Sequence, residues 1–250
     1  IDKKFKIITA LSMFYDLSDP NQFLIDIKKV LHKDGVFILE HADLLSILRN
    51  CQFDTICHEH LEYYSSKIIT ELTKENQLRT FNIKSNKING GSKRYFICHE
   101  VSKYKNNKEV ANVLKEEIKF NLDKPKTFSN FFKLINSQKK KLIELIKKIK
   151  LKEQTIHGCG ASTKGNVLLQ FFNISNKDIK YIADRNPQKY NKYTPGTKIK
   201  IISEKLSRKI QPDFYLVLPW HFKNEILKRE RIIKKKGTKF IFPLPKLKII

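Results

Sequence analysis

Residues 53–65 read Phe-Asp-Thr-Ile-Cys-His-Glu-His-Leu-Glu-Tyr-Tyr-Ser, a stretch unusually dense in groups that move protons near neutral pH. Two of the chain's seven histidines, His58 and His60, flank Glu59 there, and Cys57 precedes them. A histidine beside a carboxylate can take a carbon-bound or hydroxyl proton, with Glu59 orienting the ring or supporting its charge. Cys57 is open to two readings, a nucleophile or a packed thiol. A metal reading fits poorly. Adjacent ligands are badly spaced for a tetrahedral site, and no HExxH or CxxC partner pair exists. The plain structural alternative is a polar loop whose histidines are simply hydrogen-bonded.

Other groups could bind a substrate. Gly158, Gly160 and Gly165 lie between a strand and a helix, where exposed backbone N–H groups favour phosphate, and Lys164 adds charge. Their spacing departs from both the dinucleotide fingerprint and the P-loop, and a purely structural turn explains it equally well. Asp184 ends the next strand, where a ribose-binding acid sits in dinucleotide folds. Asn89-Gly90-Gly91-Ser92 is a tight turn followed by Arg94, suited to a polar substrate or simply to a hairpin. Pro219-Trp220-His221 closes a strand, with Trp220 a candidate core cap.

These groups need a frame. Residues 5–11 read as a buried strand, Asp19-Pro20 as a helix start, and residues 36–40 as a second strand after an Asp34-Gly35 turn. The order is a piece of an α/β sheet. Consecutive His and Glu cannot share one face, so the 53–65 stretch reads as a loop leading to a helix over 66–75 capped by Ser65. Strands follow over 78–83 and 93–98, and a long amphipathic helix over 128–151. The last hundred residues alternate strand and helix, which predicts a parallel doubly wound sheet. The division expected is 1–110, a connecting segment 111–152, and 153–250.

The chain has 250 residues with a formal net charge of +25, 40% hydrophobic. The charge is nearly all Lys, spread along the chain, while Arg, which reads bases and grips phosphate bidentately, stands at seven positions. A nucleic-acid role is therefore not expected; an anionic small molecule is. The four cysteines show no disulfide spacing, which fits a reducing cytoplasm, and no apolar run is long enough to span a membrane.

The chain resembles the S-adenosylmethionine-dependent nucleotide-sugar C-methyltransferases. The matching stretches are 53–65, Asn-Gly-Gly-Ser-Lys-Arg at 89–94, Gly-Cys-Gly-Ala-Ser-Thr-Lys-Gly-Asn at 158–166, Ala-Asp-Arg-Asn-Pro at 183–187, Thr-Pro-Gly-Thr at 194–197 and Leu-Pro-Trp-His at 218–221, in the family's order.

The resemblance implies part of a class I methyltransferase (Rossmann-like) sheet followed by a C-terminal Rossmann-like domain. It also implies S-adenosylmethionine as methyl donor and a nucleotide-linked keto-deoxysugar as substrate. It places the family's base on His60, with Glu59, His58 and Cys57 beside it; many members carry Tyr where Cys57 stands. Phe14, Tyr15 and Asp16 fall in the donor-side loop, and Asn89, Gly90, Ser92, Arg94, Gly160 and Lys164 on the substrate side. The family's zinc cysteines and donor glycine loop find no counterpart in these residues. The expectation is an N-terminally truncated form, zinc belonging only to the missing region. The alternatives are a non-catalytic fragment, a nucleotide-sugar-binding module, or a split subunit completed by a companion chain.

Overall fold

The computed structural model describes residues 3–250. Its contacts divide the chain into two units: the residues up to Arg49 with His58–Asn130, and Asn50–Cys57 with Phe131–Ile250. The 53–65 stretch is thus shared between them, changing unit at Cys57/His58.

In the first unit, strand β1 (Phe5–Leu11) leads through helix α1 (Pro20–Val30) to β2 (Leu31–Ala42). Asp19 starts α1 by accepting from the Gln22 N–H at 2.9 Å, and Pro20 takes the first helical position, where no N–H is needed. The β1–β2 pairing is parallel. The strand expected over 36–40 is longer, because Asp34-Gly35 forms an irregularity within β2 that shifts its register on β1. Helix α2 (Leu44–Arg49), which the sequence reading did not anticipate, follows.

Helix α3 (Ser66–Glu75) begins where expected, with the Ser65 hydroxyl accepting from the Ile68 N–H at 3.3 Å. Strands β3 (Leu78–Asn86) and β4 (Ser92–His99) form a hairpin, and α4 (Lys108–Lys119) closes the unit. The sheet order is β1-β2-β4-β3, with β4 antiparallel to both neighbours. Leu24, Phe37, Leu39, Ile69, Tyr95 and Ile97 lie in its core.

Helix α5 (Pro125–Leu151) carries the chain into the second unit. There β5 (Ile156–Cys159), α6 (Thr163–Phe172), β6 (Tyr181–Asp184), β7 (Lys200–Ser203), α7 (Glu204–Ile210), β8 (Phe214–Val217), α8 (Lys223–Arg229), α9 (Arg231–Lys235), β9 (Lys239–Phe242) and β10 (Lys248–Ile249) follow in order. The sheet order is β10-β9-β8-β5-β6-β7, parallel except for β10. The chain enters at β5, builds outward through β6 and β7, then returns to the other side of β5 with β8. This is a doubly wound, Rossmann-like sheet whose order reverses between β5 and β8, the place where such sheets bind ligands. The short β7 and α7 were not foreseen, and two short helices, α8 and α9, stand between β8 and β9.

Candidate active site

The two halves of the 53–65 stretch are held by different means. Phe53–Thr55 is one turn of 3-10 helix in the second unit. Phe53 stacks on Phe172 of α6 with ring centroids 5.0 Å apart. Asp54 beside it is fully buried, and its Oδ2 accepts from the Trp220 indole N–H at 2.8 Å. Burial pushes the Asp54 carboxyl up to about 6, against the hydrogen bond from Trp220 and the charge of Lys164, which both pull it down. Lys164 in turn feels both Asp54 and Cys57. Of the four cysteines only Cys57 is not buried.

His58 and Glu59 are exposed and His60 is half-buried in the first unit. The His60 ring lies 4.5 Å from that of Tyr15 and 6.3 Å from that of Tyr63. The Leu61 and Glu62 N–H groups both donate to the Tyr15 carbonyl, at 3.0 and 3.1 Å. Tyr15 sits in the turn Phe14–Asp16 just past the end of β1. One residue thus fixes the backbone after His60 and packs against its ring, at the carboxyl edge of the two parallel strands. Asp16 is exposed nearby in sequence, whereas Phe14 is buried against Phe23 and Tyr64 and serves the core.

The turn at 86–92 reaches the same edge, because Ser92 opens β4 opposite Ala42 at the end of β2. Asn89 and Gly90 take positive φ there, 53° and 92°. The Ser92 hydroxyl donates to the Ile88 carbonyl and is buried, so it closes its own turn. Arg94 donates through Nε to Glu40 at 2.7 Å, and Asn86 donates to the same oxygen at 3.1 Å.

Between Ser92 and Arg94 lies Lys93, which the sequence reading passed over. Its ammonium pairs with Asp43 at 3.1 Å and Glu117 at 3.5 Å and donates to the Ser66 hydroxyl at 3.1 Å, with all three charged side chains buried. Glu117 also accepts from the Ser66 and Lys67 N–H groups, at 2.7 and 3.0 Å, so it caps the helix that the stretch runs into. His41 stacks on Tyr95 with centroids 5.2 Å apart, and burial holds its imidazole below the usual histidine range. Lys93 shares a strand face with the buried Tyr95 and Ile97, and that alternation is the signal that could have found it.

Gly160 and Lys164, named together from the sequence, serve different places. Gly160 lines a cavity of about 420 Å³ with Asp184, Arg185, Glu204, Pro219 and Arg229, at the point where the second sheet's order reverses. The Asp184 carboxylate accepts from the Ala161 N–H at 2.7 Å, and Lys189 donates to the Ala161 carbonyl at 2.6 Å. The Ala161 N–H of this turn is therefore already taken by a carboxylate of the chain itself. Lys164 is not among the residues lining the cavity, and its charge acts on Asp54. Among the described residues no group of three or more His, Cys, Asp or Glu is arranged to hold a metal, and no helix is long and apolar enough to cross a membrane.

Comparison with known proteins bears on what this arrangement serves. A solved S-adenosylmethionine-dependent methyltransferase from Clostridium acetobutylicum ATCC 824 is 12% identical and covers 40% of this chain and 60% of its own, with a TM-score of 0.32. A likeness that slight carries no argument. The C-methyltransferase NovU of Streptomyces niveus is 29% identical over 245 residues, covering 98% of this chain and 58% of NovU. The chain thus spans little more than half the length of that relative. The family model described as the C-methyltransferase C-terminal domain matches residues 87–245, well over half the chain. The chain belongs to the C-methyltransferase family defined by that C-terminal domain.

Proposed function

We propose that the chain works in the S-adenosylmethionine-dependent methylation of a ring carbon next to the ketone of a nucleotide-linked keto-deoxysugar, with His60 as base. The observation that carries this reading is His60 packed against Tyr15 at the carboxyl edge of β1 and β2. A carbon next to a ketone is acidic because its carbanion spreads onto oxygen. His60 takes that proton at an imidazole nitrogen, Glu59 supports the cation that forms, and the Tyr15 carbonyl fixes the backbone after His60. Orientation of this kind is worth several orders of magnitude in rate.

The residues present fit the methyl donor in part. The half-buried Tyr15 ring offers a π face suited to a sulfonium, and the exposed Asp16 offers an acceptor. When bound, S-adenosylmethionine supplies an electrophilic methyl group. Arg94, fixed by Glu40 and partly exposed, is the cation of the first unit offered to the sugar's diphosphate.

A deuterium wash-in experiment tests the proton step without methyl transfer. With a nucleoside-diphosphate keto-deoxysugar in heavy water, the chain should exchange the hydrogen next to the ketone. His60→Ala should abolish exchange while leaving substrate affinity unchanged. Retained exchange would remove His60 from the role.

A second reading is favoured by β1. Among the described residues it pairs only with β2, and Phe5, Ile7 and Leu11 are exposed. An open apolar edge invites another strand. In this reading a companion polypeptide supplies it, and the chain alone binds nucleotide sugar without methylating. Calorimetry separates the two: binding of nucleotide sugar but not of S-adenosylmethionine by the chain alone supports the companion.

A further inference from the structure

Asp54 is one of two carboxylates in the stretch, with Glu62, that the proton step leaves unused, and it is the most deeply buried of the three acids there. Oδ2 accepts from Trp220, while Oδ1 meets no hydrogen-bond partner among the described residues. Its neighbours come from three directions. Lys164 on α6 acts on it as a cation, Cys51 lies close enough to be affected by its charge, and His221 follows Trp220 with the two rings 5.6 Å apart. Lys164 also feels Cys57. A buried carboxylate is costly without partners, and an aromatic or aliphatic side chain would fill the site between Phe53 and the second core more cheaply. Packing alone does not explain an acid here.

We propose that Asp54 is a positioning residue, whose carboxylate ties the Phe53–Thr55 turn to Trp220 and so fixes the start of the segment that leads to Cys57. Ionised Asp54 satisfies the indole N–H, and the charge of the half-buried Lys164 favours that ionised state. Protonated Asp54 accepts from the indole without a full negative charge, so the tie to Trp220 weakens. The group that changes state is internal to the second unit, so the anchor works whatever chemistry the exposed histidines perform. Its bearing on methyl transfer, and that alone, rests on the function proposed above.

The chain holds a single tryptophan, so its emission reports on Trp220. Burial places the Asp54 transition near pH 6, while His221, pushed down to about 4 by burial and by Lys164, titrates below it. Tryptophan emission followed from pH 4.5 to 8 should therefore shift with a midpoint near 6. Asp54→Asn, which is isosteric and still accepts from the indole, should lose the transition. Lys164→Met should move the midpoint upward, because the cation that favours the carboxylate is gone.

A flat wild-type titration, or the same midpoint in Asp54→Asn, overturns the proposal, and an unmoved midpoint in Lys164→Met removes Lys164 from it. None of these readouts uses methyl transfer. Failure of the His60 reading leaves the anchor standing, and a flat titration leaves His60 untouched.

Discussion

Lys93 reaches Asp43 at 3.1 Å with both side chains buried, and the same ammonium lies 3.5 Å from Glu117, the cap of α3. This pairing joins β4, the end of β2 and α4 to the point where the loop carrying His60 becomes a helix. Removing one member of a buried pair strands the other charge, which is worse than removing both. Lys93→Met should cost about 3–5 kcal/mol in urea unfolding. A loss below about 1 kcal/mol would show that the three groups are not a coupled, dry network.

Tyr15 bears on His60 in two ways: its carbonyl accepts from the N–H groups of Leu61 and Glu62 just after it, and its ring packs against the imidazole. Only the ring is altered by substitution. Tyr15→Ala should lower the exchange rate next to the ketone roughly 10- to 100-fold, the scale of a misplaced base, with a small change in stability because the side chain is only half-buried. An unchanged rate would mean that the carbonyl contacts alone set the imidazole.

Asp54 ionises near 6 in the fold against a usual 3.8. Between those values the folded chain keeps a proton that the unfolded chain has released, so this group makes stability fall as pH rises toward 6. Two pKa units correspond to about 3 kcal/mol. Asp54→Asn should therefore gain up to about 3 kcal/mol over wild type at pH 7.5 and nothing below pH 4. Equal gains at both pH values would point to packing instead of charge.

His157 has the opposite slope. It is buried on β5, hydrogen-bonded to Ser207, and burial pushes its imidazole down to about 4. Between the ordinary value of 6.5 and 4 the unfolded chain binds the proton first, so stability is lost as pH falls through that window. His157→Gln should abolish this acid-side loss, read as the difference between the two proteins' urea midpoints at pH 7 and pH 4.5. Parallel pH curves would contradict it.

Gly160 has φ +84°, and a Cβ there would stand 2.8 Å from two Pro219 ring atoms. Gly160→Ala should cost about 1–3 kcal/mol in thermal or urea unfolding. A neutral result would require the turn after β8 to shift, and Trp220 emission would report that shift.

Much of the frame was legible where one local rule suffices. Ser65 capping α3, Asp19-Pro20 starting α1 and the strand–helix alternation after residue 155 each depend on a few neighbouring residues. The strand at Lys200–Ser203 was not legible, since four residues are too few to show a period. Lys93 was missed because a charged residue in a basic chain reads as solvated surface, and its burial follows from two carboxylates 50 positions before and 24 after it.

The sequence by itself determined which residue types could do chemistry and in what order they stand, because a loop's composition and a glycine turn are local properties. Only the tertiary structure decided what surrounds them. Asp54 meets Trp220 across 166 positions, Asp184 turns back onto the Ala161 N–H, and the charge of Lys164 acts on Asp54, 110 positions before it. Burial and electrostatic partnership depend on distances in space, which strand order and helix packing set, and no spacing along the chain encodes them.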